Sequence, residues 1–184
     1  MCNSIRELKI FAVMLLPMLL LATAQVSPAA EPDNAPAAIL RNEISQQLAT
    51  LPYYYVFDYI TFSVSKNNNV LLSGDVTRPG LKRDAEEAVK RVKGTQGILD
   101  KIEILPKSPL DDSIRWEAFK AIFEKPALQK YATQSVDPLR IVVKNGEIIL
   151  DGRVANRFDK AMIEDCARSV TKASGVIDDL TIRS

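Results

Sequence analysis

Histidine is absent from all 184 residues. That removes the commonest general base near neutral pH and the commonest metal ligand. Glycine is scarce, at seven residues, and Gly94 and Gly97 follow a predicted helix rather than precede one. No phosphate-cradling loop is therefore present. Of the two cysteines, Cys2 falls in a leader segment, so Cys166 is left with no partner for an internal disulfide. An excess of either charge is missing as well. Taking away Arg6, Lys9 and Glu7 of the leader reduces 24 basic and 23 acidic residues to 22 of each, which argues against nucleic acid as a partner. The acidic pairs Asp111-Asp112 and Asp178-Asp179 make no carboxylate centre. Neighbours on a strand point to opposite faces, and those at a helix start serve as caps. Together these absences point away from an enzyme, and no cofactor or metal is expected.

What the chain does have begins with residues 1–24. Arg6 and Lys9 form a charged start, Ile10 to Leu21 is almost wholly apolar, and Ala22-Thr23-Ala24 offers small residues for cleavage. This is the pattern of a secretory signal peptide cut near Ala24. The apolar run is about a dozen residues, short of the ~20 that cross a bilayer. The expectation is an exported, periplasmic protein, peripheral on a membrane if it touches one. Residues 25–36, rich in alanine and proline without apolar periodicity, are predicted to be a disordered tether.

The strongest signal is internal repetition. Shifted by 78 residues, Val70–Val76 overlays Ile148–Val154, and the register holds without a gap to the C-terminus. Leu72/Leu150, Gly74/Gly152, Val76/Val154, Lys82/Lys160, Glu86/Glu164, Val92/Val170, Gly97/Gly175, Asp100/Asp178 and Ile104/Ile182 are identical. Repeated glycines, aliphatic positions and helix-face charges describe one fold used twice, not a reaction centre. Cys166 matches Ala88, as a small buried core residue would.

Each copy reads helix, strand, strand, helix, strand. Leu40, Ile44, Leu48 and Leu51 recur at helical spacing before Pro52. Ile60, Phe62 and Val64 alternate as a strand that turns through Lys66–Asn69 into Val70–Val76. Pro79 or Gly80 opens a helix with Ala85, Ala88, Val89 and Val92 inward. In the second copy Asp111 or Asp112 is predicted to cap a helix carrying Ile114, Ala118, Phe119, Ile122 and Phe123. Pro126 starts a short helical turn, and Asn145-Gly146 marks a two-residue hairpin. The fold class is α+β: two tandem αββαβ units, each a three-stranded sheet with two helices on one face, over residues 37–106 and 110–184. A unit this small buries only about 60% of its unfolded surface and is marginal alone, so the two are expected to pack together.

These segments resemble the BON-domain family. Val70–Val76 followed by Lys82–Val92, and Ile148–Val154 followed by Lys160–Val170, are similar to its aliphatic strand, glycine, polar residue, valine and alanine-rich helix. Leu51-Pro52-Tyr53-Tyr54 and Pro126–Tyr131 resemble loops of tandem members. Two positions depart from the pattern: Lys172 stands where Gly94 keeps a glycine, and Asp100 and Asp178 stand where asparagine is frequent. The resemblance implies a phospholipid membrane surface or an envelope protein as partner, a role in envelope integrity or stress tolerance, and no catalytic residues.

Two regions are candidate contact surfaces. Tyr53, Tyr54 and Tyr55 open a run through Tyr59 that suits a membrane or protein interface, or alternatively the seam between units. Phe158 and Met162 are helical neighbours whose repeat counterparts are Gly80 and Asp84, so they read as an exposed apolar pair; interdomain packing is the competing account. Arg153, Arg157, Lys160 and Arg168 surround them and suit lipid phosphates, with Glu164 and Asp165 partly cancelling that field. The basic residues of the first copy's second helix interleave with Asp84, Glu86 and Glu87, as on a solvated face.

Overall fold

Proline and glycine punctuate this chain where the pattern requires. The computed structural model describes residues 35–132 and 138–183; the expected leader, Cys2 and the tether up to residue 34 lie outside them. Helix α1 (Ala35–Ala49) is followed by β1 (Tyr59–Val64), β2 (Asn69–Val76), α2 (Pro79–Lys90) and β3 (Gly97–Ile104). The second copy runs α3 (Pro109–Phe123), a 3-10 helix (Pro126–Tyr131), β4 (Arg140–Lys144), β5 (Glu147–Val154), α4 (Arg157–Arg168) and β6 (Gly175–Ile182). The fold is α+β, with the αββαβ unit present twice.

Each unit has one three-stranded mixed sheet, ordered β1-β2-β3 and β4-β5-β6. The first pair in each is antiparallel and the second parallel. In the first unit Leu40, Ile44 and Leu48 of α1 and Leu81, Ala85, Ala88 and Val89 of α2 share one core with Ile60, Val70, Leu72 and Ile102. The second core repeats this with Ile114, Ala118 and Ile122 of α3, Ile163 and Ala167 of α4, and Ile141, Ile148, Leu150 and Leu180. Cys166 is buried there, and burial pushes its thiol pKa up, so it behaves as an inert core residue.

The gap-free repeat starts at Val70 for a geometric reason. Val64 pairs with Val70, whereas Val143 pairs with Ile148, so the first hairpin carries one residue more in its turn. The tight second turn uses Asn145 (φ 54°) and Gly146 (φ 83°), the positive pair a two-residue hairpin needs. Gly74 and Gly152 repeat because a side chain has no room. A Cβ would lie 2.1 Å from the Tyr59 carbonyl oxygen or 2.5 Å from that of Pro138, at φ 126° and 124°.

Two local expectations are corrected. Helix α1 begins at Ala35, inside the stretch expected to be a tether, because Pro36 in a first turn fits helix geometry. Neither Asp111 nor Asp112 caps α3. Ser108 does, its hydroxyl accepting the Asp111 N–H, with Pro109 next to it. Asp111 instead accepts the Gly146 N–H at 2.8 Å, tying α3 to the hairpin, and Asp112 pairs with Arg115.

Candidate functional surface

The first turn of α4 is built from below. Asn156 caps it by accepting the Asp159 N–H at 2.9 Å. Asp159 accepts the Tyr131 hydroxyl proton at 2.6 Å and pairs with Lys130 at 2.6 Å, while the Tyr131 oxygen accepts the Ala155 N–H. Burial opposes the Asp159 charge, but the hydrogen bonds from Lys130 and Tyr131 outweigh it and hold its pKa below the usual carboxylate range. The 3-10 helix thus pins the rim from which Phe158 projects. Phe158 is 78% exposed, more than any other large apolar side chain described. Arg153 near the end of β5 and Arg157 at the start of α4 are exposed on either side of the β5–α4 connection.

The other residues expected at this surface are placed differently. Met162 is half-buried and packs against the second core, lining a shallow groove with Ala121, Lys125 and Cys166. Its counterpart Asp84 is half-buried too and pairs with Arg83. Lys160 is committed to β6: its Nζ donates to the Leu180 carbonyl at 2.5 Å and lies 3.2 Å from Asp178. Arg168 pairs with Glu164. Of the predicted apolar pair, Phe158 is exposed and Met162 is half-buried.

The tyrosine run divides between seam and surface. Tyr54 is half-buried, its hydroxyl bonded to the main chain of Ile60 and its ring under the Arg140 guanidinium at 3.9 Å. Burial raises its phenol pKa and lowers that of Arg140. Tyr53 and Tyr55 are 66% and 55% exposed and flank the Arg78 guanidinium, 5.1 Å from each ring. Asp58, fully buried, carries the segment by accepting N–H bonds from Tyr55 and Thr77 and the Thr77 hydroxyl proton.

Beyond the tyrosines, the same segment locks the halves together. Val56 accepts the Ile141 N–H at 2.8 Å, and Arg140 donates to the Tyr55 carbonyl at 2.7 Å. Phe57 meets Trp116 and Phe119 edge-on, with ring centroids 5.2 and 5.9 Å apart. Lys144 bridges Asp75 and Glu103, and its hydrogen bond holds Glu103 below the ordinary carboxylate pKa. Residues Asp33–Ser184 accordingly form one compact unit. Among the described residues no acidic or thiol cluster suits a metal, and no helix is long and apolar enough to cross a membrane.

A model of the BON domain matches residues 38–106 and again residues 125–184. The chain belongs to the BON family. The BON domain is a non-catalytic, binding-type domain of membrane- and envelope-associated proteins, typically periplasmic. No curated protein matches the chain. Solved structures similar to the chain include these two. One is CdsD, a structural protein of the type III secretion system of Chlamydia trachomatis, at 11% identity and TM-score 0.30, covering 79% of this chain and 92% of that one. The other is its C-terminal domain, at 12% identity and TM-score 0.30, covering 79% and 98%.

The two departures from the BON pattern now have structural content. Gly94 adopts φ 98°, whereas Lys172, in the turn after α4, has no positive φ and reaches Glu117 and Ser113 on α3. Asp100 and Asp178 each accept an N–H two residues on, from Ile102 and Leu180. Sequence reasoning missed Asp58, Phe57, Trp116, Arg140 and Lys144 as a set. The lone tryptophan and the aromatic run were the available signals. Their pairing was hidden because a contact between two BON units joins surfaces that are not equivalent.

Proposed function

We propose that this chain is an exported, non-enzymatic envelope protein whose paired BON units bind a phospholipid surface and so support envelope integrity or stress tolerance. The observation that carries the reading is Phe158, 78% exposed on a rim fixed by Tyr131, Asp159 and Asn156. A rigidly held aromatic with exposed Arg153 and Arg157 beside it suits the boundary between headgroups and acyl chains. Burying one phenyl ring supplies about 1.5–3 kcal/mol, or roughly 10- to 100-fold in affinity.

The test is co-sedimentation of the protein, recovered after export, with anionic and zwitterionic vesicles. Phe158→Asp is expected to weaken anionic-vesicle binding at least about tenfold, with the melting temperature unchanged because the side chain is exposed. Equal sedimentation of both proteins removes this surface. Met162 is unsuited to the same test, since a charge there strikes the core.

A second reading rests on Tyr53 and Tyr55 around Arg78, an exposed amphipathic patch suited to an envelope protein partner. Loss of a specific pull-down partner in Tyr53→Ser/Tyr55→Ser, with vesicle binding intact, would favour it. Tyr54 is left untouched because it holds β1.

A further inference from the structure

Each sheet ends in two edge strands, and alternate residues of an edge turn both main-chain groups outward, a template for another chain. Leu105 still reaches the Val76 carbonyl and Arg183 that of Val154, both at 2.8 Å. Residues of their parity thus face the central strand, while Ile102 and Leu180 face away. Yet these two residues, one near the middle of each outward row, are not open. The Ile102 N–H donates to Asp100 at 2.8 Å and its carbonyl accepts from Lys82 at 2.6 Å. The Leu180 N–H donates to Asp178 at 3.0 Å and its carbonyl accepts from Lys160 at 2.5 Å.

We infer that the Lys82–Asp100 and Lys160–Asp178 pairs are edge guards, which keep β3 and β6 from adding a strand of a second copy of this chain. Both lysines come from the helix that crosses between the parallel strands, reach over the edge strand and, together with an aspartate of the strand, occupy both main-chain groups of one outward residue, Ile102 or Leu180. The other two edges are treated alike. Tyr54 takes the Ile60 N–H on β1; on β4, Val56 takes the Ile141 N–H and Arg115 the Val143 carbonyl.

A second copy is the occupant to exclude because of the duplication. Two equivalent edges on one molecule, each with exposed apolar residues (Leu99 and Ile104, Ile177 and Ile182), pair head to tail. Such pairing need not close, so it builds open chains. This accounts for why Lys82/Lys160 and Asp100/Asp178 are identical between copies that share few other charges.

The experiment is sedimentation velocity of the full chain over a concentration series, with infrared detection of intermolecular strand pairing. Lys82→Ala/Asp100→Ala and Lys160→Ala/Asp178→Ala are each expected to add concentration-dependent larger species absent from the wild type, and the fourfold variant to form longer ones. Glu164→Ala/Arg168→Ala, an exposed pair on the same helix as Lys160, is the control and should leave the wild-type value. Folded guard variants that keep the wild-type value at every concentration overturn the inference, as does equal assembly of the control. Amide hydrogen exchange on the wild type decides the matter if the variants fail to fold. Ile102 and Leu180 should exchange about tenfold or more slowly than unprotected edge amides; exchange at the unprotected rate overturns the inference.

Discussion

Gly74→Ala is expected to lower stability by about 3 kcal/mol or more, a fall of roughly 6–12 °C in melting temperature for a body of this size. Two costs combine. The residue sits at φ 126°, which L side chains avoid, and the new Cβ would lie 2.1 Å from the Tyr59 carbonyl oxygen. That oxygen belongs to the backbone and cannot rotate aside, so β1 must move away from β2. Because β1 follows the seam segment directly, the damage spreads to the contact between the units. Thermal unfolding followed by circular dichroism measures it; a shift under about 2 °C would mean that the strand accommodates the methyl group.

Asp58→Ala is the second large effect, at about 3 kcal/mol. The carboxylate is fully buried and accepts three hydrogen bonds, at 2.7 Å from the Thr77 N–H, 2.7 Å from its hydroxyl and 3.2 Å from the Tyr55 N–H. Truncation leaves those donors without an acceptor inside the protein, and the Tyr53–Phe57 segment loses its suspension. Asp58→Asn keeps an acceptor for Thr77 but turns an amide toward the Tyr55 N–H, so a loss of about half is expected. Trp116 emission reports the seam, because this is the only tryptophan and it touches Phe57. Both variants should shift it to the red, alanine more than asparagine.

The unit fold was readable because its requirements recur. Gly74 and Gly152 meet the same carbonyl approach, and Val76/Val154 and Val92/Val170 fill the same places in two cores. The start of each unit was harder to align. The first hairpin has an extra residue, and α1 matches α3 at a different offset from the rest. Once Leu40, Ile44 and Leu48 are set against Ile114, Ala118 and Ile122, Trp116, Phe119 and Phe123 fall on Asn42, Ser45 and Ala49. The receptor for Phe57 thus exists on one unit only, and no repeat signal can announce it.

At the candidate surface the repeat comparison was half informative. It singled out Phe158, whose exposure follows from its place at the start of α4. For Met162 it used the polarity of Asp84, but that position is half-buried in both copies, and the long thioether folds onto the core. Lys160 read as a surface charge because its partners Asp178 and Leu180 lie some twenty residues away on the adjoining strand. Spacing along a helix reports neighbours one turn apart and is silent about such reaches.

Differential scanning calorimetry of the wild type and Phe57→Ala tests most directly whether the duplicated units work as one body. The account predicts a single cooperative transition for the wild type, with calorimetric and van't Hoff enthalpies equal. In Phe57→Ala, which removes the ring held by Trp116 and Phe119, the transition should broaden or divide into two. Two separate transitions in the wild type, or an unaltered single one in the variant, would contradict it.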